Sequence, residues 1–287
     1  MRLLSSTLAL ALVAAPFCVI AHGANSRLQN EVAPSRAYLG FDRNEYPGDA
    51  AIGALRQTFS FSGYWLNNPP GEKSNSWTGK REILLQNGLG FLVLFNGRTE
   101  KQLKGSSDPA ALGASDAHAA AERAQREGFH PGTVIFLDQE EGGMLLPGQR
   151  AYLFAWIDGV VAAGFRAGVY CSGIPVKAEK GESIHTAIDI RDHAANREIV
   201  FFVYNDACPP SPGCVYPQIP PPPSKSGVTF ASVWQFAQSP RRRPLTRACS
   251  STYNADGNCY PPRTTGAAFI FLDLDSATSP DPSNGRR

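Results

Sequence analysis

Eight apolar runs of strand length punctuate this chain: "RAYLGFD" (36–42), "FSFSGYWL" (59–66), "GFLVLFNGR" (90–98), "TVIFLDQE" (133–140), "RAGVYCS" (166–172), "EIVFFVYND" (198–206), "ASVWQFAQ" (231–238) and "AFIFLDLD" (268–275). Helical patterns separate many of them. Among these are an Ala-rich "SDAHAAAERAQREGF" with Ser115 as its expected N-cap, and "RAYLFAWIDGVVAAGF", stopped by Gly164. Near-continuous apolar strands alternating with helices imply a parallel sheet with both faces covered. Eight such strands predict an α/β fold of the (β/α)8 TIM-barrel type. The alternative, a doubly wound open sheet, lacks support because no Gly-rich phosphate loop follows an early strand. After the sixth and seventh runs the helices are missing. The tract "PQIPPPP" and two cysteine loops stand in their place, so the barrel is expected to be irregular there.

Polar side chains gather where these runs end. Asp42 closes the first, Tyr64 and Trp65 the second, Asn96 and Arg98 the third, Asp138 and Glu140 the fourth. Tyr170, then Tyr204 and Asn205, then Trp234 and Gln235 occupy the ends of the next three, and Asp273 and Asp275 the last. In a barrel those ends form one mouth, the face that carries active sites. Asp138 and Glu140 share a side of their strand, about 6.5 Å apart along the backbone, while Gln139 and Glu141 face away. Carboxylates this crowded raise the pKa of one member. A neutral acid beside an ionised carboxylate is the pair that glycosidic cleavage requires. The catalytic set is therefore Glu140, Asp138, Asp42 and Asp273. A strand-end DxE also fits a structural cap or ion pair, and the four carboxylates could instead hold Mg²⁺ or Ca²⁺.

Sugar rings offer apolar faces and a rim of hydroxyls, which calls for aromatic platforms beside hydrogen-bonding groups. Tyr64, Tyr170, Tyr204 and Trp234 are the expected platforms, with Arg98 and Gln235 as polar partners. Trp65 is the weaker candidate, and Trp156 belongs to the core by its helical spacing. Other chemistries lack their residues. His118, His130, His185 and His193 avoid the strand ends and have no zinc spacing, and GxSxG is absent. No cofactor is implied.

The N-terminus has the layout of an export signal over residues 1–23: Arg2, an apolar stretch from Leu8 to Ile20, and a small-residue site at Ala21–Gly23. A membrane anchor is the rival. The stretch is broken by Pro16 and falls short of the roughly 20 residues a span needs. No convincing lipobox precedes Cys18. Export suits the remaining cysteines. "CPPSPGC" and "CSSTYNADGNC" suggest local disulfides of Cys208 with Cys214 and Cys249 with Cys259, while Cys171 reads as a buried thiol. A net charge of +2 over 287 residues argues against nucleic acid as the main partner. The expected layout is a leader, a barrel over 36–277 and a disordered or loosely attached tail at 278–287. A monomer that meets a polysaccharide outside the cell, with no stable membrane insertion, is the expected state.

"GFD", "FLDQE", "VWQFAQ" and "FLDLDSA", in this order, resemble the lysozymes of glycoside hydrolase family 25. The series from "GFD" through "GYWLNN", "GFLVLFNGR" and "GTVIFLDQEEGG" to "GVYCSG" resembles more closely a secreted, glycoside-hydrolase-like domain whose barrel is related to those lysozymes. The resemblance spans about residues 38–277. It implies Glu140 as general acid and Asp138 as stabiliser of an oxazolinium-like or oxocarbenium centre, with the substrate's N-acetyl group as internal nucleophile. Asp42 and Asp273 would orient that pair or the substrate. The implied substrate is a β-1,4-linked N-acetyl amino-sugar polymer such as peptidoglycan. Two departures stand out: "RNEYPG" after the first Asp, and DLD in the last strand where DLN is common. A non-catalytic glycan-binding barrel is the alternative function.

Overall fold

Strands and helices alternate along the chain as the apolar runs predict. The computed structural model describes residues 36–177, 181–207, 216–238 and 270–287. Strand β1 (Tyr38–Asp42) leads into helix α1 (Asp49–Arg56), and β2 (Phe61–Trp65) into α2 (Arg81–Gln86). β3 (Gly90–Asn96) precedes α3 (Glu100–Leu103) and α4 (Pro109–Arg126), and β4 (Val134–Gln139) precedes α5 (Pro147–Ala162). After β5 (Arg166–Ser172) come a small hairpin of β6 (Val176–Lys177) and β7 (Ser183–Ile184), then α6 (Thr186–Asp192). β8 (Val200–Tyr204), β9 (Val233–Ala237) and β10 (Asp273–Ala277) complete the set. Between β8 and β9 the described residues hold only a 3-10 turn at Pro223–Lys225, in keeping with the missing helix.

The eight longer strands close into a barrel in the order β1-β10-β9-β8-β5-β4-β3-β2. One strand corrects the expectation. β10 runs antiparallel to both neighbours, placing Asp273 opposite Asp42 and Asp275 opposite Gly40 on one side and Gln235 on the other. It begins at Asp273, where the expected eighth strand was nearly over. Reversal exchanges the two ends of a strand. Asp273 therefore reaches the mouth by heading β10, and Asp275 lies one pleat deeper in the barrel.

Large inward side chains need glycine opposite them. A Cβ on Gly40 would come within 2.2 Å of the Phe61 ring, and one on Gly168 within 2.4 Å of Phe136. Outside the barrel, α4 packs on α5 and buries Ala117, Ala120, Ala121 and Ala124. The helix begins at Pro109 instead of Ser115, because Asp108 caps it by accepting the Ala111 N–H at 2.9 Å.

The tail also departs from expectation. Ser283 is fully buried. Its hydroxyl accepts the Val93 N–H at 2.7 Å, its carbonyl accepts the Val134 N–H at 2.8 Å, and Asp281 accepts the Phe91 N–H at 2.8 Å. Short polar residues, which read as disorder in sequence, here satisfy backbone donors of β3 with their side chains and one of β4 with a carbonyl. The expected leader and both expected disulfides lie outside the described residues. Cys171 is a buried thiol, and burial pushes its pKa up. No helix among the described residues is long and apolar enough to cross a membrane.

Removing residues 279–287 should lower the melting temperature by roughly 5–10 °C, since several hydrogen bonds near 1 kcal/mol each are lost. A thermal melt of the truncated chain checks this, and an unchanged midpoint would refute a structural tail.

Candidate active site

Alternation decides which side chains reach the barrel interior. Asn96, Asp138 and Tyr170 stand level across β3, β4 and β5, on the inward phase of each strand. One cavity of about 130 Å³ is lined by Asp42, Asp138, Glu140 and Asp273, together with Trp65 and Tyr170. The four expected catalytic carboxylates thus share one space, contributed by β1, β4 with its following loop, and β10.

Asp42 is the most tightly held. Gln235 donates from Nε2 to its Oδ2 at 2.8 Å. The Oε1 of the same amide accepts the Tyr170 hydroxyl at 2.7 Å and Gln238 Nε2 at 2.8 Å, which fixes the amide's orientation. Asp275 is fully buried directly beneath, within hydrogen-bonding reach of Asp42. As an ion it would have no donor on either oxygen among the described residues. A proton on Asp275 removes the buried charge and turns one of these oxygens into a donor to Asp42. In this way Asp275 does what an Asn would do at the same place.

Crowding and burial set the protonation of the cluster. Burial pushes Asp42 up from 3.8 to about 6; the Gln235 and Asp275 hydrogen bonds temper the rise, and the Glu140 charge adds to it. Asp138 goes well above the ordinary carboxylate value, first through burial, then through the charges of Glu140 and Asp42. One of its oxygens is buried with no donor among the described residues, consistent with a proton residing on Asp138. Asp275 is raised by burial and then by Asp42 and Asp273. Tyr170, also raised by burial, stays a neutral donor. Glu140 differs from its neighbours in being exposed at the rim.

The remaining expected residues divide. Tyr170 and Gln235 belong to the cavity. Tyr204 faces inward, its ring 5.5 Å from that of Tyr170, and its hydroxyl donates to the Glu140 carbonyl at 3.1 Å, so it supports the loop that carries Glu140. Arg98 lies on the adjoining wall with its guanidinium clamped by Asp116 at 2.6 and 2.9 Å. Glu141 faces away, as alternation predicts, and anchors the loop by accepting the Glu100 N–H at 2.7 Å and the Gln149 amide.

Two expected platforms are corrected. Tyr64 is fully buried on the outer face of β2 among Trp77, Phe91 and Phe129, with its hydroxyl on Glu127. Trp234 takes the phase opposite Gln235 on β9; it packs on Phe236 and donates from Nε1 to the Asn205 carbonyl at 3.0 Å. The aromatic walls are instead Trp65, Tyr170 and Phe202. Phe202 was hidden inside an apolar run. Gln238 was visible as the second Gln of "VWQFAQ", at the end of a described segment. Among the described residues, no group of three or more His, Cys, Asp or Glu is arranged to hold a metal ion.

Residues 64–200 match the family model described as "Rv2525c-like, glycoside hydrolase-like domain", in agreement with the resemblance the motifs carry. An uncharacterized protein of B. stearothermophilus has a similar structure, with TM-score 0.51 and 18% identity over 84% of this chain and 95% of that one. The spore cortex lytic enzyme SleM of Clostridium perfringens gives TM-score 0.50 and 15% identity over 85% and 68%. The Tat-secreted protein Rv2525c of Mycobacterium tuberculosis gives 0.48 and 14% over 87% and 98%. At these identities the likeness is one of fold. None of the curated proteins compared matches the sequence.

The raised Asp42 has a consequence for stability with a definite sign. Its folded form holds the proton more tightly than the unfolded chain does. The contribution is therefore fully present below about pH 4 and is lost as pH rises through about 6. Between about pH 4 and about pH 8 the Asp42→Asn variant should gain melting temperature relative to the parent. Parallel melting curves across that range would contradict the assignment.

Proposed function

We propose that this mouth is the cleavage site of an exported glycoside hydrolase acting on β-1,4-linked N-acetyl amino-sugar glycans such as peptidoglycan. The observation that carries the reading is the convergence of Asp42, Asp138, Glu140 and Asp273 on one cavity walled by Trp65, Tyr170 and Phe202. Aromatic faces suit the apolar side of a pyranose, and crowded carboxyls supply the acid and its counterpart. The family match to a glycoside-hydrolase-like domain, and the description of one fold neighbour as a spore cortex lytic enzyme, agree with this choice of substrate.

Asp138 and Glu140 act as a coupled pair that shares a proton. In the empty mouth, burial favours Asp138 as the carrier. A glycan that fills the mouth removes water from Glu140, which raises its proton affinity in turn. The proton passes to Glu140 and from there to the leaving glycosidic oxygen. Asp138, now ionised, faces the developing positive charge at the anomeric centre or orients the acetamido group that attacks it. As the glycosidic bond breaks, its electron pair leaves with the protonated oxygen, and water later closes the reaction. Asp42, clamped by Gln235, holds the substrate or the pair in register.

Glu140→Gln should reduce release of fragments from peptidoglycan or chitooligosaccharides by roughly 10²–10⁴-fold while glycan binding persists. Mass spectrometry of the released fragments provides the readout. If the parent chain binds these glycans and releases nothing, the barrel is a glycan-binding module; if it neither binds nor cleaves them, the substrate class is wrong.

A further inference from the structure

The carboxylate cavity is one end of a longer groove. Pro70, Asp138 and Glu140 also line a second cavity of about 220 Å³, which extends over Gly97 and Arg98. Asn96, Gly97, Arg98 and Gln102 carry on into a third, of about 340 Å³, closed by Asn67, Asp116 and Arg123. The character of the walls changes along the way. At the carboxylate end stand Trp65, Tyr170 and Phe202; at the far end the lining is mainly amide and guanidinium, with Phe95 and Asp116 among them. Such a surface reads polar substituents rather than the apolar face of a ring.

The cations at the far end are unequal. Arg98 is held rigid: Asp116 takes its Nε and Nη2, and Tyr152 in turn donates to Asp116 at 2.9 Å. That ion pair offsets its charge but leaves the Nη1 edge without a hydrogen bond among the described residues. Arg123 is exposed and makes one long hydrogen bond, 3.5 Å, to the Leu66 carbonyl. Asp116 and Arg123 are seven residues apart on α4, two turns along one face and about 10 Å along the axis. With Asp116 already committed to Arg98 and Tyr152, Arg123 gives the cavity a net positive charge. The acids of the central cavity and Glu141 do not line this far end.

Building on the glycan reading above, we propose that the far cavity receives a carboxylate carried by the glycan on one side of the cleavage point. Arg123 is its ionic contact, and Arg98 is the rigid neighbour that fixes where it sits. A guanidinium meets a carboxylate with parallel N–H donors, so the contact selects for charge and for geometry. Two sugar chemistries offer such a group, a lactyl ether on an amino sugar and a uronic acid. A plain N-acetylglucosamine polymer would leave the far end unmatched.

Binding tests this apart from turnover. In the Glu140→Gln background, calorimetry would compare oligosaccharides of equal length: chitooligosaccharide, an N-acetylmuramyl-containing oligomer, the same oligomer with its carboxyls reduced, and a glucuronate-containing oligomer. The expected result is roughly tenfold tighter binding of one acid-bearing oligomer than of its neutral counterpart, weakening as salt is raised. Arg123→Gln should remove that preference and Arg123→Lys should keep only the part that charge alone supplies, both with an unchanged melting temperature because the side chain is exposed. Which acid-bearing oligomer wins identifies the source of the carboxylate. Equal affinities for acid and reduced oligomers, or a preference that survives Arg123→Gln, would overturn the proposal and leave the hydrolase reading intact. A charge preference without cleavage by the parent chain would support it while the hydrolase reading falls. Failure of every oligomer to bind would overturn both.

Discussion

The antiparallel pairing of β10 with β1 and β9 is the constraint on which the mouth depends. It closes the barrel, and it does so with a strand that enters at the rim and runs downward. Asp273 consequently stands beside Asp42 at the top, and Asp275 beneath Asp42, between Gly40 and Gln235. A parallel last strand ending at Asp275 would bring a different pair of side chains to each level. The clamp on Asp42 is thus built by strand direction as much as by residue type. Gln235 donates from one side, Asp275 from below once it carries a proton, and Tyr170 with Gln238 holds the amide in the only orientation that serves both partners.

Burial of so many acids in so small a space would be unfavourable if all were ionised. The cluster relieves the strain by keeping protons, and it places them unevenly. Burial raises Asp275, Asp138 and Asp42, the rise at Asp42 is tempered by its donors, and Glu140 stays in contact with water. A set of carboxyls graded in this way can move a proton when a ligand changes the solvation of one member. Such grading is what the proposed acid–base work on a glycosidic bond needs, and under that proposal the exposed position of Glu140 has a purpose.

Much of this was legible in the sequence. The alternation of apolar runs with helical patterns pointed to the barrel, and the rule that polar residues end barrel strands brought Asp42, Asp138, Glu140 and Gln235 together. What failed has a common physical cause. In a strand buried on both faces, hydrophobicity does not alternate, so the phase of the strand cannot be seen. Tyr64 and Trp65 are adjacent and equally buried, yet only Trp65 points inward; the same ambiguity sent Trp234 to the wrong side and concealed Phe202. Direction is hidden for the same reason, since "FLDLDSA" looks equally strand-like whichever way it runs. The tail was misjudged because Ser, Pro and Asp are usual in loose segments, while Asp281 and Ser283 here serve as acceptors for strand N–H groups. Their partners are about 190 residues away in sequence, which no local pattern shows.

The proposed chemistry depends on protons held by buried carboxyls at the mouth. Infrared spectroscopy of the folded chain at neutral pH, with Asp138→Asn subtracted from the parent, reads them directly. The expected result is a protonated carboxyl carbonyl band that is present in the parent and lost in the variant. A difference spectrum showing only an ionised carboxylate at that position would mean that Asp138 is charged at rest, and would contradict the shared-proton pair.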